Sequence, residues 1–423
     1  MNEDLYENKF NQAIQNSFFE RLPTSEREFI KQKSFLFKFS HQEIKQVVEM
    51  ARDLEMWGEK TIIDVFPDHD QRKVVFSRLR KSYEDIRNKP NSYENFTLKN
   101  VPKEQKFTFT TQAKEGFGLG LCPVASEKTR CCNLLTLDAV ESCGFDCSYC
   151  SIQSFYNQNT ITFDSGFADK LLNLNLDKNK TYHIGTGQAS DSLMFGNREG
   201  VLDALFEFAR KNPNVILEFK TKSDNVKYLL ENEVPKNVIC AWSLNTPTII
   251  ENEEHLTASL DKRIKSARAL ADKGVKVGFH FHPIVEYENY LSEYQEVYER
   301  LVMEFQPREV ALVSFGTLTF IKPVIKQLRG REFRTKITQI EHTNASGKTS
   351  YPDATKVEMF KHAYESFSPW QKEAGDDRVF FYLCMEEHQM WAKTFGYQYS
   401  TNNDFERAML SSYCNKVGVE YFL

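Results

Sequence analysis

Three cysteines stand close together in the stretch ESCGFDCSYC, residues 141–150. Cys143, Cys147 and Cys150 are separated by three residues and then by two, in a stretch that also contains Gly144. This spacing brings three thiolates around one metal centre. The sequence therefore predicts a metal site whose ligands come from a single loop.

Two kinds of metal centre are compatible with three cysteines. A structural zinc ion takes four ligands, commonly from two separated pairs, so Cys122, Cys131 or Cys132 would have to supply the fourth. An iron–sulfur cluster that is bound by three cysteines keeps one iron open, and an open iron is a reaction site. No second cysteine pair has the spacing typical of zinc sites, which favours the cluster.

Length and composition are those of a globular protein. The 423 residues suffice for two or three domains, or for one large α/β domain with extensions. The net charge of −5 gives no overall attraction to nucleic acid or to an anionic membrane. The start MNEDLYENKF lacks a secretory signal pattern, and no run of about 18 apolar residues occurs. We therefore expect a cytoplasmic protein without a membrane partner.

The cysteine count fits a reducing compartment. Nine cysteines in a chain of this size are expected to be metal ligands, reactive thiols or core residues rather than disulfides. Cys240 should point away from Ser243, toward the helices, because strand residues at odd spacing face opposite sides. Cys384 and Cys414 are expected to be buried apolar residues.

The chain divides into three regions by pattern. Residues 1–110 are charged and mainly helical, residues 111–335 alternate short apolar runs with amphipathic helices, and residues 336–423 form an extension expected to pack on the barrel. The six apolar runs span 134–140, 182–187, 215–222, 238–245, 275–284 and 309–316, with helices between them at 200–212, 223–232 and 259–274. This alternation predicts parallel βαβ units and an α/β fold, a partial (β/α)6 TIM-type barrel.

Polar side chains recur two residues apart near the ends of three predicted strands. Residues at that spacing face the same side of a strand. Parallel barrels place their ligand sites at the carboxyl ends of the strands, so these residues are expected to share one site. The pairs are Lys220 and Lys222, Ser243 and Asn245, and His280 and His282.

The cysteine spacing resembles the signature of the radical S-adenosylmethionine (radical SAM) enzymes. In that family an aromatic residue precedes the third cysteine, as Tyr149 does here. The resemblance implies a [4Fe–4S] cluster on Cys143, Cys147 and Cys150 and S-adenosylmethionine on its open iron. It also implies that reductive cleavage of this cofactor yields a radical that removes hydrogen from the substrate, while the protein orients the reactants and excludes water.

Within that superfamily, residues 134–330 are similar to the spore photoproduct lyase-like branch. The similar segments are CSYCSIQ, QASDS, FKTKSDNVKYLL, WSLN, SLDKRI and VGFHFHPI. The resemblance implies that Ser190, Lys222 and Ser243 contact S-adenosylmethionine. An ammonium and two hydroxyls suit the carboxylate and the ribose of that ligand.

The chain departs from that branch at two positions. Gln188 replaces a cysteine that donates hydrogen to the product radical, and an amide N–H bond is too strong for that step. Ser151 replaces one of two tyrosines, whereas Tyr149 retains the other and is the candidate catalytic residue for radical relay. Cys131 and Cys132, in LCPVASEKTRCC, are alternative thiols for the missing donor or structural thiols.

Three functions are compatible with these residues. The first is a lyase-like radical SAM enzyme that acts on a DNA or nucleotide lesion, with a flavodoxin- or ferredoxin-type reductant as partner. The second is a radical SAM enzyme that acts on a protein, peptide or small metabolite, because fold and cluster do not determine the substrate. The third is a non-catalytic iron–sulfur protein that binds or senses redox state. The matches at Ser190, Lys222 and Ser243 disfavour the third function, and Gln188 weakens the first relative to the second.

Overall fold

The structure is a computed structural model. It describes residues 3–99, 106–116, 119–122, 128–152, 155, 159–345, 347–372 and 377–422. Within these ranges, none of the helices combines the length and the apolar composition needed to cross a membrane.

The strands of the described residues are short and most lie in the middle of the chain. In order they are β1 (Thr108–Gln112), β2 (Leu119–Leu121), β3 (Leu135–Leu137), β4 (Val140–Glu141), β5 (Asp146–Cys147), β6 (Thr160–Asp164), β7 (Tyr182–Thr186), β8 (Val215–Thr221), β9 (Val238–Ser243), β10 (Glu254–His255), β11 (Lys276–Ile284), β12 (Val310–Thr317), β13 (Thr319–Phe320), β14 (Thr343–Ala345), β15 (Lys348–Ser350) and β16 (Phe380–Leu383).

The helices open the chain, alternate with its strands and close it. They are α1 (Glu3–Ile14), α2 (Thr24–Phe37), α3 (His41–Trp57), α4 (Ile62–Val65), α5 (Arg72–Arg87), α6 (Phe167–Leu172), α7 (Val201–Lys211), α8 (Lys227–Glu231), α9 (Pro247–Glu253), α10 (Leu260–Asp272), α11 (Tyr290–Glu304), α12 (Lys322–Arg329), α13 (Asp353–Ser366), α14 (Ser368–Gln371), α15 (His388–Phe395) and α16 (Asn402–Val417).

One curled sheet of eight strands contains the six predicted strands. Its order is β16-β12-β11-β9-β8-β7-β3-β2, and all neighbours are parallel except β2 and β3. The six predicted strands occupy consecutive positions in the predicted sequence order, so the partial-barrel prediction is confirmed. The sheet is wider than predicted, because β2 and β16 extend its two edges.

Burial on both faces explains why the central strands read as continuous apolar runs. Every residue of β9 and β12 is buried, as expected for parallel strands covered by helices. The helix predicted at 223–232 is shorter, because the Ser223 hydroxyl accepts the backbone N–H of Asn225 at 3.0 Å and forms a turn. Helix α8 therefore begins only at Lys227.

The chain folds into two compact units. The first comprises residues 1–102, 286–288 and 320–350, and the second comprises residues 103–285, 289–319 and 351–423. The second unit contains the whole eight-stranded sheet, so the tail after residue 351 contributes β16 to the sheet itself.

Within the first unit, α3 is fixed by its ends and by a buried ion pair. Ser40 caps its start in a capping box with Glu43, and Gly58 ends it in the left-handed region at φ 67°. The Arg329 guanidinium, on α12, donates two hydrogen bonds to the Asp53 carboxylate at 2.7 Å each. A bidentate pair of this kind orients α12 on α3.

A glycine on β11 should be sensitive to a single added methyl group. A Cβ at position 278 would lie 2.7 Å from Cγ of Leu312 on the neighbouring strand. We expect Gly278→Ala to lower the free energy of unfolding by about 1–3 kcal/mol, the usual cost of overpacking a core. Urea denaturation would measure the change.

Gly120→Ala on β2 is the matched control, because a Cβ there meets no atom within 4 Å. If the two variants lose the same stability, the close packing of β11 against β12 is contradicted.

Candidate active site

The three cysteines lie in one loop that short backbone pairings hold in place. Cys147, in β5, pairs antiparallel with Glu254 of β10. The Ser148 N–H donates to the Glu253 carbonyl at 2.8 Å, and the Cys150 N–H donates to the Cys147 carbonyl at 3.1 Å. The loop is therefore attached to the polypeptide that follows strand β9.

The glycine at the start of this loop is closely packed by the end of the Met194 side chain. A Cβ at position 144 would lie 2.7 Å from Sδ of Met194 and 3.1 Å from Cζ of Phe107. Ser142, just before it, has φ 74°, in the left-handed region that non-glycine residues seldom adopt. The glycine of the cysteine stretch thus allows close packing where the chain turns.

The thiols of this loop are within electrostatic reach of one another. Cys147 is buried at 6% exposure, whereas Cys143 and Cys150 are half-buried. Burial and the neighbouring Glu254, Cys150 and Cys143 raise the pKa of Cys147, and Lys222 partly offsets them. Three thiolates at this place therefore need a positive centre to balance their charge.

Tyr149 is anchored by a buried carboxylate. Its phenol donates a short hydrogen bond to Glu254, whose other oxygen lies 2.6 Å from the guanidinium of Arg263. Burial and the Glu254 charge raise the pKa of Tyr149 well above its ordinary value, so the phenol stays protonated. The Arg263 guanidinium also donates to the Ser243 carbonyl at 2.8 Å. One ion pair thus connects the end of β9 to the cysteine loop.

Lys222 lies beside the same loop. Its Nζ is 5.8 Å from the centroid of the Tyr149 ring. Its backbone N–H donates to the Asp191 carboxylate at 2.7 Å, and that carboxylate also accepts the Met194 N–H at 2.9 Å. Asp191 therefore ties the segment after β7, which contains Ser190, to the end of β8.

Two predicted cofactor contacts carry unpartnered hydroxyls. Ser190 and Ser243 are 7% and 2% exposed, and the structure gives neither Oγ a hydrogen-bond partner. A buried polar atom without a partner costs free energy unless a ligand or water satisfies it. Both positions thus fit a ligand that brings its own polar groups.

A buried chain of polar side chains crosses the barrel interior. The Glu218 carboxylate accepts hydrogen bonds from Nε2 of His183 and Nε2 of His280, each at 2.7 Å. His280 Nδ1 lies 2.6 Å from the Ser314 hydroxyl, which lies 3.0 Å from Nε2 of His282. Burial lowers the pKa of His280 to about 4, so its ring is neutral near pH 7. The two predicted histidines are thus members of one network.

The burial of the remaining cysteines agrees only partly with the predictions made from the sequence. Cys240 and Cys414 are fully buried, but Cys384 is half-buried and lies near the charge of Lys220, so the prediction of a buried apolar residue is wrong there. Cys131 and Cys132 share a hydrogen bond, which lowers the pKa of Cys131 to about 6. Residues 123–127 of the LCPVASEKTRCC segment lie outside the described residues.

Three residues that position the side chains of the site were not predicted from the sequence. Glu254 follows a charged run that looks solvated, Arg263 lies in a helix with ordinary periodicity, and Glu218 sits within an apolar strand. Only Glu218 carried a usable signal, since a lone carboxylate in a fully buried strand requires partners.

Comparison with known proteins identifies the family. A family model described as spore photoproduct lyase matches residues 69–359, more than half of the chain. Spore photoproduct lyase from Clostridium acetobutylicum is 30% identical over 169 residues, which are 39% of this chain and 50% of the relative. The enzyme from a Geobacillus species is 24% identical over 202 residues, 46% of this chain and 59% of the relative. The chain thus spans about half the length of the curated relatives it matches.

Solved structures of spore photoproduct lyase share the fold. One variant superposes with a TM-score of 0.53 at 19% identity and covers 65% of this chain and 82% of its own. Another, with bound AdoMet and dinucleoside spore photoproduct, superposes with a TM-score of 0.52 at 18% identity and covers 80% and 94%. At this identity the structures show a shared fold. The family model, which matches more than half of the chain, shows that the chain belongs to the spore photoproduct lyase family of radical SAM enzymes.

Proposed function

We propose that this protein is a radical SAM enzyme that acts on a thymine photoproduct in DNA. Its cluster ligands are Cys143, Cys147 and Cys150, and its cofactor contacts are Ser190, Lys222 and Ser243. The observation that carries the proposal is the pair of buried, unpartnered hydroxyls next to a loop of three thiols, in a chain that belongs to this family.

The number of thiols supports a cluster over a structural metal ion. A structural zinc ion takes four ligands, whereas three thiolates can each bind a different iron of a four-iron cluster and leave one iron open. Cys143, Cys147 and Cys150 supply three thiols from one loop, which suits the second arrangement.

The protein groups around the loop supply binding, orientation and exclusion of water. When bound, the cluster and S-adenosylmethionine supply the electron transfer and the radical that removes hydrogen from the substrate. Lys222 provides a cation for the cofactor carboxylate, and the Ser190 and Ser243 hydroxyls provide hydrogen bonds. Tyr149, protonated and held by Glu254, is the proposed catalytic residue for radical relay.

The proposed substrate is taken from the ligands that a related protein binds. A related lyase has been solved with AdoMet and dinucleoside spore photoproduct, and we extend both ligands to this chain. A ferredoxin- or flavodoxin-type protein in the cytoplasm is the proposed electron donor, which agrees with nine free cysteines. Gln188, at the position of the lyase thiol, favours a second candidate: the same chemistry on a protein, peptide or metabolite.

The cluster assignment predicts the metal content. Anaerobically purified protein should be brown and contain about four irons and four sulfides per chain. Cys147→Ser should abolish both, because it removes a buried ligand, whereas Cys414→Ser on α16 should retain them. Colourless wild-type protein with stoichiometric zinc would contradict the assignment.

The unpartnered hydroxyl of Ser243 predicts opposite effects on binding and on stability. Ser243→Ala should weaken S-adenosylmethionine binding by about 1–3 kcal/mol, the cost of a lost buried hydrogen bond. Without ligand, the variant should be as stable as wild type or more stable, because no hydrogen bond is lost. Calorimetry and thermal unfolding measure the two quantities.

Ser412→Ala is the matched control for this pair of measurements, since its hydroxyl on α16 is also buried without a partner. Equal cofactor affinity in wild type and Ser243→Ala would show that this serine does not contact the ligand.

Gln188 predicts a defect in the last chemical step. If the site accepts the lesion, wild-type protein should release little intact thymine, because an amide cannot donate a hydrogen atom to a carbon radical. Gln188→Cys should raise the yield of thymine per 5′-deoxyadenosine formed, since only the hydrogen source is restored. Efficient release of thymine by the wild type would refute this reading and implicate another thiol.

A further inference from the structure

Two lysines project from the carboxyl end of β8 without a carboxylate partner. Lys220 and Lys222 are two residues apart, so their side chains leave the strand on the same face. Among the described residues, no Asp or Glu oxygen lies within 4.0 Å of either ammonium, although 24 pairs of other Lys or Arg residues with carboxylates meet that criterion. Lys222 still interacts with the charge of Glu254, whereas Lys220 has no direct carboxylate partner and marks a place for an anion.

The nearest carboxylate on that face is committed elsewhere. Glu218, two residues before Lys220, uses its two oxygens for His183 and His280. Glu218 is the one carboxylate on β8, and its hydrogen bonds with the two histidines prevent it from pairing with Lys220. The Lys220 ammonium is left without a carboxylate at the carboxyl end of β8.

The buried chain nevertheless holds Lys220 in place. Because His280 donates its Nε2 hydrogen to Glu218, its Nδ1 accepts the hydroxyl hydrogen of Ser314. The Ser314 oxygen in turn accepts the Nε2 hydrogen of His282. The remaining lone pair of His282, on Nδ1, therefore faces Nζ of Lys220 at 3.4 Å. The ammonium is oriented through one of its three hydrogens, which leaves two for a ligand.

The surroundings of Lys220 favour an incoming anion. The titratable groups that face it are Glu218 on its own strand, Lys222 just after that strand, His280 and His282 on β11, Cys384 after β16 and Cys122 after β2. Burial lowers the pKa of Lys220, and repulsion from Lys222 adds to this effect. A bound anion would offset both penalties.

We propose that Lys220 binds the phosphodiester that links the two nucleosides of the substrate, while Lys222 serves the carboxylate of the cofactor. The inference rests on the proposed function and names the substrate more closely, as a dinucleotide with its phosphate intact. A phosphodiester carries one negative charge, which matches one ammonium with two free N–H donors. His282, Ser314, His280 and Glu218 are positioning residues, because they act on the ligand through Lys220.

The test compares two ligands that differ only in the phosphate. Holoenzyme is titrated with dinucleotide spore photoproduct and with the phosphate-free dinucleoside. Wild type should bind the dinucleotide about tenfold more tightly, as expected for one charge-assisted contact. Lys220→Gln should remove this preference and leave the dinucleoside affinity nearly unchanged, and it should reduce the salt slope of dinucleotide binding by about one. Lys220→Arg should restore part of the preference.

Lys227→Gln is the matched control, because this lysine on α8 is 79% exposed. It should retain the wild-type preference. Equal loss of both affinities in Lys220→Gln would overturn the proposal, as would a wild type that does not distinguish the ligands. Displacement of the dinucleotide by an acidic peptide with higher affinity would also overturn it and place a carboxylate at Lys220. Cleavage of S-adenosylmethionine, measured in parallel, reports on the proposed function separately.

Discussion

Side chains from three separate segments of the second unit contact the Glu254 carboxylate. Tyr149 of the cysteine loop donates to it, Arg263 of α10 forms an ion pair with it at 2.6 Å, and the Asn245 amide donates to it at 3.3 Å. Its backbone pairs with Cys147. Removing one partner of a buried ion pair typically costs about 3–5 kcal/mol. The placement of the three thiols relative to Ser243 therefore depends on this one charge.

A second buried carboxylate, Glu218 on β8, organises polar side chains in the barrel interior. Glu218 satisfies two histidines, and the resulting chain ends at Lys220. Burial raises the pKa of both carboxyls, but Arg263 and Lys222 outweigh it at Glu254, and the hydrogen bonds donated by His183 and His280 help to lower the pKa of Glu218. The two carboxylates thus remain ionised and stabilise positive or donor groups around the mouth of the barrel. The cations that face the mouth are left for ligands.

Periodic patterns in the sequence predicted most of the fold. The six central strands are apolar on both faces, and such runs can be read without knowing their neighbours. The edge strand β2 has only three residues, of which two are exposed, and therefore no such pattern. Strand β16 is an apolar run buried throughout, but it lies in the region after residue 336 that was predicted to pack on the barrel and not to join its sheet. The start of α8 was misplaced because the Ser223 hydroxyl competes with the helix for a backbone N–H, a local contact that periodicity does not reveal.

The candidate site was predictable where chemistry follows from spacing. Cys143, Cys147 and Cys150 are distinctive because three thiols in eight residues seldom serve packing, and His280 and His282 share a face by strand parity. Glu254 and Arg263 could not be found, because their partners are far apart in sequence and only the fold brings them together. Cys384 was misread for the same reason, since its neighbour Lys220 lies 164 positions earlier in the chain.

We propose that the site formed by the cysteine loop, Lys222 and the two serines cleaves S-adenosylmethionine in response to a DNA lesion. The direct measurement is 5′-deoxyadenosine formed by reduced, anaerobic protein with irradiated DNA that contains spore photoproduct, compared with the same DNA before irradiation. Formation of 5′-deoxyadenosine should rise with the lesion content. Equal formation with both DNA samples would remove the lesion as substrate, and none with either would show that the site does not cleave S-adenosylmethionine.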